Sequence, residues 1–97
     1  MVLGNITNLL ADLGDGNVQV ELVANGAGVR LLTGETPELA EQIRALAERG
    51  VRFVACQNSL NHLGLQRSSL LEGVEIVPAG VSELVKKQAE GWGYIRP

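Results

Sequence analysis

The chain has 97 residues, of which 45% are hydrophobic, 20% charged and only 3% aromatic, and its formal net charge is −3. Such a length makes one domain, residues 1–97, able to bury only about 60 to 70% of its unfolded surface, so assembly into a homo-oligomer would help it. No Lys/Arg cluster offers the electrostatic drive for nucleic-acid binding or a polybasic membrane patch, and no apolar run approaches the ~18 residues of a membrane span.

Val2, Ile6, Leu9, Leu10 and Leu13 recur at helical spacing until Gly14-Asp15-Gly16 stops them, which predicts an amphipathic helix over residues 3 to 13. From Asn17 the period changes to two. Val18, Val20 and Leu22 alternate with Gln19 and Glu21, predicting a strand with one partly wet face that ends near Ala24. Asn25-Gly26-Ala27-Gly28 reads as a loop, followed by a helical turn from Val29 to Leu32. Thr36 is placed to cap a second helix with Pro37 at its first position, with Leu39, Ile43, Leu46 and Ala47 toward the core and Gly50 ending it.

Val51 to Ala55 is β-rich and apolar apart from Arg52, as expected of a strand covered on both faces in a parallel sheet. Gln57 to Leu63 reads as helix and Val74 to Val77 as strand, stopped by Pro78-Ala79-Gly80. Val81 to Glu90 reads as a helix with Val81, Leu84 and Val85 on its buried side and Glu83 and Glu90 among its surface charges. Tyr94 and Ile95 predict a last short strand, and Trp92 and Tyr94 read as core or subunit contacts. Strands alternating with helices imply right-handed crossovers and a mostly parallel sheet with helices on both faces. In that arrangement Asn25–Gly28, Cys56–Ser59 and Pro78–Val81 share the rim at the strand C-terminal ends, where ligands usually bind.

Cys56 is the only cysteine, so it forms no internal disulfide, and with the first basic residue at Arg30 there is no charged start for a secretory signal. The expected location is the cytoplasm. A cysteine at a strand end and helix start meets free backbone N–H groups that stabilise a thiolate, the form able to accept and pass on sulfur as a persulfide. The other reading is a small hydrophobe filling space beside Ala55. His62 lies six positions further on, a spacing that turns the two side chains apart on one helix, and one cysteine with one histidine makes no zinc ligand set. Neither GxGxxG nor a P-loop is present, no serine sits in an elbow motif, and nothing calls for a metal or cofactor.

In order, VLGNITNLLADL, VELVANGAGVRLL, GVRFVACQNSL and GVEIVPAGVSELVKKQAEGWGYIRP resemble the DsrE/DsrF-like family of small α/β proteins. The ACQNSL segment and the VPAGVSELVKKQAEGWGYI ending carry most of that likeness, which runs over nearly the whole chain. The resemblance implies a three-layer αβα sandwich and homo-oligomers, trimers or hexamers among them. It also expects a strand ahead of the first helix, for which nothing precedes Met1-Val2, so that the start is truncated or the sheet is completed another way, for example by a neighbouring subunit. Better understood relatives carry sulfur as a persulfide on a rim cysteine, and Cys56 is the matching position. The branch most resembled consists largely of proteins without an assigned activity. The resemblance implies a sulfurtransferase-like sulfur carrier working between a donor and an acceptor protein. Asn58 and Ser59 would supply hydrogen bonds, and Asn25, Gly26, Ala79 and Gly80 would line the site. The family pattern has histidine where this chain has Asn25, which favours carriage over catalysis. The alternative is a noncatalytic oligomeric module that binds a small ligand or a partner protein, with Cys56 only lining its pocket.

Overall fold

A computed structural model describes all 97 residues. Helix α1 (Val2–Leu13) leads through a 3₁₀ turn (Asp15–Asn17) to strand β1 (Glu21–Ala24), and a longer 3₁₀ segment (Gly26–Thr33) precedes α2 (Pro37–Glu48). Strand β2 (Arg52–Cys56), α3 (Gln57–Leu63), a 3₁₀ turn (Arg67–Ser69), β3 (Glu75–Val77) and α4 (Gly80–Ala89) complete the order. The three strands are parallel in the order β1-β2-β3. No helix is long and apolar enough to cross a membrane.

Register decides which side chains meet, because alternate residues of a strand point to opposite faces. Leu22 pairs with Phe53, and Ala24 with Ala55 and, through it, Ile76. On that face the buried residues of the strands join Leu3, Ile6 and Leu10 of α1, Val29 and Leu32 of the 3₁₀ segment, Ile43 and Leu46 of α2 and Leu60 of α3 in one core. On the other face Glu21 pairs with Arg52, Val23 with Val54 and Glu75, and Cys56 with Val77. Helix α4 packs on this side, its Lys87 facing Glu21 of the sheet. The molecule is therefore a three-layer α/β sandwich.

Four expectations are corrected. The first strand is shorter than the alternation from Asn17 implied, because β2 has nothing to offer upstream of Arg52, whose N–H bonds to the Val20 carbonyl. Residues 15–17 turn instead, held by the two hydrogen bonds from the Arg49 guanidinium to Asp15. Ala47 is exposed rather than buried, since α2 packs through Ile43 and Leu46. Helix α4 is rotated from the apolar reading: Val81 and Val85 are 65% and 61% exposed, while Glu83, Leu84 and Lys87 turn inward. The reason lies in the sheet face it meets, which carries Glu21, Arg52 and Glu75 and so attracts a helix side bearing charge. Finally, Tyr94 and Ile95 form no strand and are exposed. The tail is anchored at Trp92, whose N–H bonds to the Lys87 carbonyl and whose ring lies 5.1 Å from the Lys87 ammonium, within cation–π range.

Candidate functional site

The three rim segments meet around Cys56. As the last residue of β2 it points to the α4 face, and the following residues turn into α3, which brings Asn58 and Ser59 back to the sulfur. The chain after β3 turns through Pro78 and Ala79 into α4, and Gly80, first residue of that helix, aims its N–H at the same atom. After β1, Gly26 donates its N–H to Ser59 Oγ at 2.7 Å, which occupies that oxygen as an acceptor and leaves its proton for the thiolate.

Burial is the largest single influence on Cys56 and pushes its thiol up. The Ser59 hydroxyl and the N–H groups of Gly80, Ser59 and Asn58 together outweigh it, and the thiol ends below its ordinary range. The residue is only 5% exposed, so a reagent reaches sulfur after a neighbouring segment moves. Two segments cover it. The exposed Asn25 amide lies against Gly80 so closely that a Cβ built there would come within 2.8 Å of its Nδ2. Ala79 flanks this contact as the N-cap of α4 and accepts the Glu83 N–H at 3.2 Å. The structure thus gathers Cys56, Asn58, Ser59, Gly26, Asn25, Ala79 and Gly80 at one rim, while His62 is exposed on α3. No three His, Cys, Asp or Glu side chains are grouped so as to hold a metal ion.

The DsrE/DsrF-like family model matches residues 4–97. The chain belongs to this family. Among solved structures, a protein of unknown function from Methanobacterium thermoautotrophicum is similar, with 43% identity and a TM-score of 0.92 over 99% of this chain and 84% of that one. No curated protein matches. Family membership and the structural likeness agree with the three-layer α/β architecture, and the structural neighbour comes without an activity.

A second group of this DsrE/DsrF-like domain escaped the sequence reading. The Glu21 side chain is 2% exposed between β1 and α4, and neither of its oxygens has a hydrogen-bond donor aligned on it. Arg52 Nη1 comes to 3.1 Å of it, while Nε and Nη2 of the same guanidinium bond to Glu75 at 2.8 and 2.9 Å. Lys87 Nζ stands 3.9 Å from Glu21, 4.0 Å from Glu83 and 3.9 Å from Glu90. Burial first, then the neighbouring Glu83 carboxyl group, push the Glu21 pKa up to about 7, against the pull of Arg52 and Lys87. Alternation marked Glu21 as facing away from the apolar core, and no sequence signal showed that a charged helix side would close over it.

Proposed function

We propose that the protein is a sulfur carrier that holds a persulfide on Cys56, with Ser59, Asn58 and Gly80 stabilising the thiolate and Asn25, Gly26 and Ala79 lining the approach. The observation that supports this reading most directly is the convergence of four donors on the one cysteine of a DsrE/DsrF-like chain, enough to lower its thiol pKa despite burial. In loading, the Cys56 thiolate attacks the outer sulfur of a donor persulfide. A Cys56 S–S bond forms, the donor S–S bond breaks, and the donor leaves as a thiolate. Unloading is the reverse exchange onto an acceptor thiolate, with no net redox change. The cytoplasm, whose thiols stay reduced, is the setting that suits such exchange.

The test is incubation with a small-molecule persulfide donor followed by intact-mass measurement. Wild-type protein is expected to gain one sulfur atom that a thiol reductant removes, and Cys56→Ser none. Unmodified wild type with its thiol intact would leave only the reading of Cys56 as a pocket-lining residue in a binding module, which its 5% exposure favours.

Assembly is the second part of the proposal. Val81, Val85, Tyr94 and Ile95 are large apolar side chains left exposed on a small domain, as expected of surfaces that meet further copies. Light scattering is expected to give a multiple of the 10.3 kDa chain mass; a monomer at micromolar concentration would remove this part.

A further inference from the structure

We infer that a single proton shared by Glu21 and Glu83 latches α4 onto the sheet, and that its loss loosens the helix and opens access to the Cys56 thiol. This concerns regulation of the site used in the proposed function, yet it stands on a different cluster. Every charged group facing that cluster belongs to four elements: Glu21 of β1, Arg52 of β2, Glu75 of β3, and Glu83, Lys87 and Glu90 of α4. Four carboxyl groups thus share two cations. Arg52 divides its guanidinium between Glu75, held in a fork by Nε and Nη2, and Glu21, 3.1 Å from Nη1 without an aligned hydrogen bond, and Lys87 is spread over three carboxyl groups at 3.9 to 4.0 Å, none of them a close contact.

An ionised Glu21 would be a buried anion with no aligned donor, beside a second carboxyl group. Burying a charge without full pairing is costly, and like charges in one site add to that cost. A proton held by Glu21 cures both faults at once, since the carboxylic acid is neutral and donates to Glu83. The raised Glu21 pKa of about 7 agrees with this and places the change near neutrality. Above it, the two carboxylates repel each other, and Glu21 is held in the ladder by its pairing with Arg52, so in the latch the displacement falls to α4.

The same helix begins at the thiol. Gly80 and Lys87 lie about 10 Å apart along α4, so a helix lifted at Glu83 and Lys87 also withdraws the Gly80 N–H from Cys56 and breaks its contact with Asn25. Direct proton transfer between the clusters is excluded by distance: Arg52, opposite Glu21, is roughly 13 Å along β2 from Cys56. The connection is mechanical.

The experiment follows two readouts in the full chain between pH 5 and 8: amide exchange of α4 residues 80–89, corrected for intrinsic rates, and alkylation of Cys56 by iodoacetamide, divided by the thiolate fraction. In wild type the opening equilibrium of α4 is expected to rise on the order of fiftyfold, the ratio that a carboxyl pKa moved from 4.5 to about 7 imposes across this range, with the corrected alkylation rate rising alongside. Glu21→Gln keeps the shape and an N–H donor for Glu83 without the titration, and both curves should become flat. Glu83→Gln, which removes the second carboxyl group and offers Glu21 a donor but leaves Glu21 buried, should make both curves shallower without flattening them. A wild-type α4 whose opening does not change with pH, or a slope that survives in Glu21→Gln or is undiminished in Glu83→Gln, overturns the latch. If α4 opens while corrected alkylation stays constant, the connection to Cys56 is overturned. Neither readout involves sulfur transfer, so a failed persulfide assay would leave this result standing and a failed latch would leave the carrier assay untouched.

Discussion

Glu21→Gln is expected to raise the free energy of unfolding by about 2–3 kcal/mol at pH 8 and by almost nothing at pH 4, as read from urea midpoints at each pH. The folded-state pKa of Glu21 is raised, from 4.5 to about 7, so between these values the native chain keeps a proton that the unfolded chain has released. Stability then falls as pH rises through this window, because the unfolded state binds fewer protons than the native one, and it levels off above about pH 7. A tenfold change in proton affinity is equivalent to about 1.4 kcal/mol, so the rise from 4.5 to about 7 makes about 3.5 kcal/mol the ceiling. Glutamine has the volume of the protonated acid, cannot ionise, and removes the slope. The opposite sign, a variant weaker than wild type at pH 8, would mean that ionised Glu21 is held favourably by Arg52 and Lys87 and that burial is not the dominant influence.

This cluster also shows where a sequence stops informing. The positions of Leu22, Ile43 and Leu46 were legible because helical and strand periods translate directly into which side is apolar. The rim was legible too, since a parallel α/β order sends the loops after β1, β2 and β3 to one edge and so unites Asn25, Cys56 and Gly80. Helix α4 was not. Its valines at 81 and 85 and its charges at 83 and 87 define two competing faces, and the choice between them depends on the sheet side it covers. That side is polar at Glu21, Arg52 and Glu75, residues on three strands that become neighbours only through register. Tyr94 and Ile95 failed for a related reason, because β-propensity at a chain end forms a strand only where an edge is presented to it.

Ser59→Ala is expected to slow the reaction of Cys56 with a neutral aromatic disulfide by about threefold on the acid side of the wild-type thiol pKa, and to speed it by a similar factor on the alkaline plateau. Among the groups that lower the Cys56 thiol against burial, the Ser59 hydroxyl comes first, and the Gly26 N–H at 2.7 Å fixes its oxygen as an acceptor so that its proton is free for sulfur. A hydrogen bond to a charged group contributes about 1.5–3 kcal/mol, and the low end of that range already makes the thiolate about tenfold scarcer below the wild-type thiol pKa once it is lost. A more basic thiolate is also a better nucleophile, with a Brønsted slope of about 0.4–0.5, so each remaining thiolate attacks about threefold faster. The two effects oppose each other below the thiol pKa, and only the second survives above it. The wild-type and variant profiles therefore cross, and Ser59→Thr, which keeps the hydroxyl, should follow the wild type. Parallel profiles displaced by one factor at every pH would assign Ser59 a role in access to the buried sulfur instead of in its charge.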